Sequence, residues 1–292
     1  MSKILVTGAA GHLGRLVVRH LIETEGVAPP DVIAGSRNTA RLADLAAGGV
    51  ELRTVDFDRS DDMTKAFAGV DRLLIISTDA VGSGKRLEQH RRAVAAAAAA
   101  GVGHIVYTSM PSPESSLVTF AGDHLGTEQA MKATGIPHTI LRDGWYMENL
   151  FMVLPQALMG GAWYSSAGDG RLAHISRDDT ARAIAAVLAR DLGGGTLTLT
   201  GPQSFTTEEL AELVRQLTGR SLAVVHLTDE QLATGMKAAG VPEPVIPMLV
   251  SFDANTREGH MAMQTDAFER LTGGKPQTLK SFLEANLTAL AG

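Results

Sequence analysis

Residues 3–14, KILVTGAAGHLG, place a short apolar run directly before glycines at positions 8, 11 and 14. An apolar helical pattern follows, with Leu13, Leu16, Val17 and Leu21 on one face of a segment from His12 to Glu25. A strand, a glycine turn and a helix in this order form the first half of a βαβ unit, and each glycine answers a separate demand. Gly8 permits the tight turn. Gly11 lets the backbone approach a pyrophosphate with no Cβ in the way. Gly14 lets the helix lie close on the strand. Amides around Ala10, Gly11, His12 and Leu13 then face an anion at the helix N-terminus.

The rhythm continues through the first half of the chain. Short apolar runs suited to buried parallel strands recur at Ile4–Val6, Val32–Ala34, Leu52–Val55, Leu73–Ile76, Ile105–Tyr107 and Thr139–Leu141. Helical segments lie between them, including residues 85–100, which carry charge first and then alanines, with Gly101 as the C-cap. Alternation of this kind predicts an α/β fold: a Rossmann-type, doubly wound parallel sheet covered on both faces. After residue 150 the pattern changes. GGAWYSSAGDG (160–170) reads as a glycine-rich loop, Ser176 opens an amphipathic helix, GGGTLTLTG contains a strand, and Thr206 or Thr207 caps another helix. The expected organisation is a nucleotide-binding domain at 1–150 with returning segments at about 171–200, and a smaller, mostly helical lobe from 151–170 and 201–292, with one strand in LAVVHL.

Bulk properties narrow the function. The chain has 292 residues, a net charge of −6 and no cysteine. A negative balance gives no general attraction to nucleic acid, and the absence of thiols removes disulfides, thiol catalysis and zinc–thiolate sites. Nine histidines are scattered without an HxxxH or HExxH pattern, so no metal site is expected. No apolar stretch approaches the ~20 residues that span a bilayer. A cytoplasmic protein is expected, acting on a small molecule as a monomer or homodimer.

The second strand ends in GSRN, with Ser36 and Arg37 where NAD sites usually carry a carboxylate for the ribose 2′-hydroxyl. A guanidinium pairs with a 2′-phosphate through a bidentate fork. The expected coenzyme is therefore NADPH, with Asn38 assisting. Asp56 and Phe57, after the third strand, are placed to meet the adenine. Ligands in open parallel sheets bind at the carboxyl ends of the strands, which here are Ser77–Thr78, Thr108–Ser109 and Asp143–Tyr146. The first set and Thr108 are expected at the ribose and nicotinamide. Ser109 and Tyr146 are the candidate proton donors at the acceptor, with Trp145 as an aromatic wall. Glu148 and Asn149 are expected to cap the next helix.

Short-chain dehydrogenases use a Tyr-x-x-x-Lys pair, one helical turn apart, as the acid for a carbonyl oxygen. Four residues beyond Tyr107, Tyr146 and Tyr164 stand Pro111, Leu150 and Gly168, so the pair is absent. The corresponding helix carries His124-x-x-x-Glu128 instead, and His124 is a candidate proton relay. A ketone becomes an alkoxide on reduction and needs such an acid. A quinone becomes a phenolate, whose conjugate acid has a pKa of about 10, and does not.

TGAAGHLG, GSRN, LLIIST, HIVYTSM, HLGTE and LRDGWYMEN occur in that order. Across essentially its whole length the chain resembles the NmrA-like atypical short-chain dehydrogenases, most of all the type-2 NADPH:quinone oxidoreductases, with the triphenylmethane dye reductases next. The resemblance implies a Rossmann domain, NADPH, and a flat aromatic acceptor in the cleft between the lobes. It implies direct hydride transfer without flavin. The other readings are an azo or triarylmethane dye as acceptor, or an NADP(H)-binding sensor without turnover. The family commonly has Asn in the stretch RNGWY where this chain has Asp143. An ionised carboxylate only accepts hydrogen bonds, so Asp143 is either protonated or binds a donor such as the nicotinamide amide.

Overall fold

A computed structural model describes residues 2–82, 84–190 and 192–291. In chain order the first half runs β1 (Ile4–Val6), α1 (His12–Glu23), β2 (Val32–Ser36), α2 (Ala43–Ala47), β3 (Glu51–Thr54), α3 (Ser60–Ala66), β4 (Arg72–Ile75), α4 (Lys85–Ala100), β5 (His104–Ser109), α5 (Ala121–Thr134) and β6 (His138–Asp143). The second half runs β7 (Trp145–Tyr146), α6 (Leu154–Gly160), β8 (Ala162–Ser165), β9 (Leu172–Ile175), α7 (Arg177–Ala189), β10 (Gly195–Leu199), β11 (Ser204–Phe205), α8 (Thr207–Thr218), β12 (Ala223–His226), α9 (Asp229–Ala238), α10 (Ile246–Arg257), α11 (Ala267–Thr272), α12 (Leu279–Ala285) and α13 (Leu287–Ala291).

Among the described residues, seven parallel strands form the main sheet in the order β10-β6-β5-β4-β1-β2-β3. The strand order reverses between β1 and β4, which opens the crevice where doubly wound sheets bind nucleotides. One face is covered by α1 and α7, with Val6, Val17, Leu74, Val106 and Ile184 in a common core. The other face packs on α3, α4 and α5 through Leu5, Phe67, Ile75, Ala97 and Tyr107. Alternate residues of each strand serve opposite faces, so both faces need apolar side chains and the strands read as continuous runs. The alanines of α4 allow its close approach: Ala93, Ala96 and Ala97 are buried.

The chain leaves the main sheet at Gly144. A Cβ there would lie 2.8 Å from the Leu199 carbonyl oxygen, so β6 can turn into a second sheet, β11-β9-β7, only through a glycine. The segment 160–170 is less of a loop than its glycines suggest. Residues 162–165 pair with β12 as a parallel strand, and Asp253 of α10 takes hydrogen bonds from the Ser165 hydroxyl at 2.9 Å and the Ser166 amide at 2.7 Å. A third core gathers Met147, Leu154, Leu210, Val214 and Phe282 beneath α6, α8 and α12. The capping expectations are met: Ser176 accepts from the Asp179 amide, and Thr206 forms a reciprocal capping box with Glu209.

Candidate functional site

The glycine turn between β1 and α1 has the geometry of an anion cradle. Gly8 adopts φ +63°, a left-handed conformation that favours glycine. A Cβ on Gly14 would lie 2.4 Å from the Gly8 carbonyl oxygen and 2.8 Å from Ala9 Cα, whereas one on Gly11 would meet only the Gly8 oxygen at 3.2 Å. Gly14 is thus required by packing, and Gly11 leaves an exposed opening. Arg15 is the first amide of α1 with a backbone acceptor, Gly11 at 3.1 Å. The amides of His12 and Leu13 therefore point out of the helix mouth, with Ala10 beside them, and suit a diphosphate.

Arg37 and Asn38 are exposed at the end of β2, and Arg37 makes no ion pair among the described residues. Ser36 is buried, its hydroxyl exchanging hydrogen bonds with the Asn38 backbone at 3.1–3.2 Å. Its contribution is to shape the turn that presents Arg37. Arg15 fastens the following segment by donating to Asp44 at 2.7 Å and to the Arg41 carbonyl. Asp56 is half-buried and accepts from the Asp58 amide at 3.0 Å, while Phe57 is buried edge-on to His90. At the next strand ends the Ser77 amide donates to Thr108 Oγ1 at 2.9 Å, and the Thr78 amide donates to His90 Nε2 at 3.0 Å. The Thr78 hydroxyl donates to Gln89 at 2.8 Å. These hydrogen bonds fix the carboxyl edge of the sheet at β4 and β5.

The candidate acid–base residues fall into two groups on opposite sides of β7. Tyr146 and Asp143 lie toward α7: the Tyr146 hydroxyl donates to Asp143 Oδ2 at 3.0 Å, and the Arg177 guanidinium lies 5.0 Å from the Tyr146 ring centre. Burial pushes the Asp143 carboxyl up to about 8, against the lowering effect of the Tyr146 hydrogen bond, and its Oδ1 has no hydrogen-bond partner among the described residues. Near neutrality Asp143 is therefore mostly the neutral acid. Tyr146 is raised well above the ordinary phenol value by burial and by Asp143. Glu148 accepts from the Arg177 amide at 3.0 Å, so it caps α7, and Asn149 accepts from the Arg177 side chain at 3.0 Å. Trp145, one residue before Tyr146, faces the other way. Its ring meets Phe252 of α10 edge-on at 4.6 Å, and Phe252 meets Phe120 at 6.0 Å.

Two of the expected proton donors are already engaged by neighbouring side chains. Ser109 does not hold its proton ready for an acceptor: its buried hydroxyl donates to Glu128 Oε1 at 2.7 Å. Glu128 is fully buried and also accepts from Arg142 Nε at 3.0 Å and Nη2 at 2.8 Å. His124 is not a neutral-pH relay. Burial, with Arg86 and His90 nearby, holds its pKa down to about 3. Its Nε2 faces Arg86 Nη1 at 3.2 Å and its Nδ1 faces the Tyr107 hydroxyl at 2.8 Å. Because arginine only donates, Nε2 is the acceptor and Nδ1–H donates to Tyr107.

Arg86 itself escaped the sequence reading. It stands in the first turn of α4, where a charge reads as solvated, yet it is 7 % exposed. Its guanidinium stacks 4.7 Å from the Phe120 ring centre, and its buried Nε has no partner among the described residues. Phe120 and Phe252 were missed for the same reason: long-range packing brings them together, and no local spacing marks them.

Residues 1–283 match the NmrA-like family. The chain belongs to the NmrA-like family. Quinone oxidoreductase 2 of Escherichia coli is 34 % identical over 278 residues, 94 % of this chain and 96 % of that one. The crystal structure of NADPH-dependent quinone oxidoreductase from Escherichia coli, complexed with NADPH, superposes with a TM-score of 0.93 at 33 % identity over 97 % of this chain and 99 % of that one. The triphenylmethane reductase of Citrobacter sp., complexed with NADP(H), gives a TM-score of 0.89 at 33 % identity over 98 % and 100 %. The Rossmann-type sheet of this NmrA-like chain is therefore shared from end to end with reductases whose structures hold the phosphorylated coenzyme.

Proposed function

We propose that this protein is an NADPH-dependent oxidoreductase that reduces quinones or similar flat aromatic acceptors. The observation that carries the reading is the exposed Arg37, without an ion-pair partner among the described residues, beside an open glycine cradle. The amides of Ala10, Gly11, His12 and Leu13 hold the diphosphate, and Gly8 and Gly14 keep the turn tight. Arg37 and Asn38 take the 2′-phosphate, with Ser36 shaping their turn. Asp56 and Phe57 flank the adenine, and Ser77, Thr78 and Thr108 border the ribose and nicotinamide.

When bound, NADPH supplies the two electrons and one hydrogen that the acceptor takes up as hydride. The chain's own residues orient that exchange and exclude water. Trp145, Phe252 and Phe120 form the wall on which a flat ring lies. On the far side of β7, Asp143 and Tyr146 are placed to fix the nicotinamide end, the neutral carboxyl offering a donor to an amide oxygen. The enzyme is expected to be cytoplasmic, acting as a monomer or homodimer. No helix among the described residues is long and apolar enough to cross a membrane.

Purified protein mixed with NADPH and a panel of quinones tests the reading through loss of the reduced-nicotinamide absorbance. Turnover with quinones supports it. Tight NADPH binding without turnover of any quinone or dye supports a sensor instead.

A further inference from the structure

A buried cation without a counter-charge is costly to keep. Arg86 is such a group: among the described residues no carboxylate forms an ion pair with it, its neighbours being His124 at 3.2 Å and the Phe120 ring at 4.7 Å. Asp79, exposed in the segment after β4, and Asp123, half-buried on α5, are near enough to influence it but make no ion pair with it. His90 and His124, on α4 and α5, are both held to about 3 and are neutral, so they neither compensate nor compete. The Tyr107 phenol, raised well above its ordinary value by burial, is neutral too. Arg86 is therefore a buried positive charge with no ion-pair partner among the described residues, on which Asp79 and Asp123 act only at a distance. It hydrogen-bonds the residue standing at the tyrosine position of the Tyr-x-x-x-Lys spacing, and it caps the row of rings formed by Phe120, Phe252 and Trp145.

We propose that Arg86 is the electrophile of the acceptor site, its guanidinium holding the acceptor oxygen that becomes negative on reduction, in place of the missing tyrosine–lysine acid. The inference rests on the reductase reading and narrows it. A quinone that gains a hydride becomes a hydroquinone monoanion, the coenzyme leaving oxidised as NADP⁺, and a proton from water completes the hydroquinone. Arg86 stays protonated throughout and stabilises the phenolate, a charge present only after the electrons have moved. The same cation repels a positively charged triarylmethane dye, whose reduction produces no anion. The substrate class is accordingly the neutral quinones, with cationic dyes disfavoured.

The test compares the parent with Arg86→Met and Arg86→Lys. The Met variant is expected to lose about 10²–10³-fold in kcat/KM for a neutral quinone, with NADPH affinity unchanged, and to lose little or nothing with a cationic dye. The Lys variant, which keeps the charge but not the fork, is expected to recover part of the loss. Binding of para-nitrophenol to the NADP⁺ complex gives a readout free of turnover. The parent is expected to bind it as the yellow phenolate below its free pKa, and the Met variant is not. Equal phenolate binding by parent and Met variant, or an equal loss on quinone and dye, overturns the proposal. A parent that ionises the phenol but turns over no acceptor overturns the reductase reading and leaves the anion site standing.

Discussion

Glu128 lies fully buried with both carboxylate oxygens on the Arg142 guanidinium, at 3.0 Å to Nε and 2.8 Å to Nη2. Glu128 occupies the position where a catalytic lysine would stand in a Tyr-x-x-x-Lys helix, and the pair ties α5 to β6. Removing one partner of a buried pair strands the other charge and costs about 3–5 kcal/mol. Arg142→Met is expected to lower stability by that amount in urea unfolding. Its NADPH affinity, measured on the folded protein, should change little.

Gly14 is sterically obligatory. Gly14→Ala puts a methyl 2.4 Å from the Gly8 carbonyl oxygen. Overpacking of this kind costs about 1–3 kcal/mol. Thermal unfolding should show the loss, and calorimetry should show weaker NADPH binding because the cradle is pushed open.

Arg37 sets coenzyme choice. A hydrogen bond to a charged group contributes about 1.5–3 kcal/mol, so Arg37→Ala should weaken NADPH binding by roughly 10- to 150-fold. NADH, which has no 2′-phosphate, should bind as before. Ser36→Ala should act in the same direction but less, because it loosens only the turn.

Buried histidines set the acid limb of stability. His90 and His124 are held to about 3 and His174 to about 4, each by burial first. The unfolded chain protonates them near 6.5 and the folded chain does not. Stability is therefore full above that value and is lost as pH falls toward 4, by about 1.4 kcal/mol per pH unit for each unmatched proton. Asp143 acts with the opposite sign. Its folded value of about 8 lies above the ordinary 3.8, so its contribution is present below 3.8 and lost as pH rises through about 8. His124→Gln should give a shallower fall in midpoint denaturant between pH 6.5 and 4.

The sheet, the first helices and the glycine turn were legible because each rests on local chemistry. Gly8, Gly11 and Gly14 follow a run that can only be a strand, and Gly101, Ser176 and Thr206 punctuate their helices by side chain or φ alone. The small sheet of β7, β9 and β11 was not legible, since β7 and β11 have only two residues each and carry no period. Nor was the acceptor side. Ser109 and His124 stand at the expected strand end and helix turn, but Glu128 and Arg86, distant in sequence, decide what their protons do. A lone buried charge such as Arg86 leaves no trace in a pattern of neighbours.

The central claim, hydride delivery from the phosphorylated coenzyme to a quinone, is tested most directly by mixing the preformed NADPH complex with a neutral quinone in a stopped-flow instrument. One equivalent of reduced nicotinamide should disappear per hydroquinone formed, with the NADH complex assembling only at far higher coenzyme concentration. A complex that binds NADPH tightly and leaves it reduced in the presence of every quinone contradicts the account.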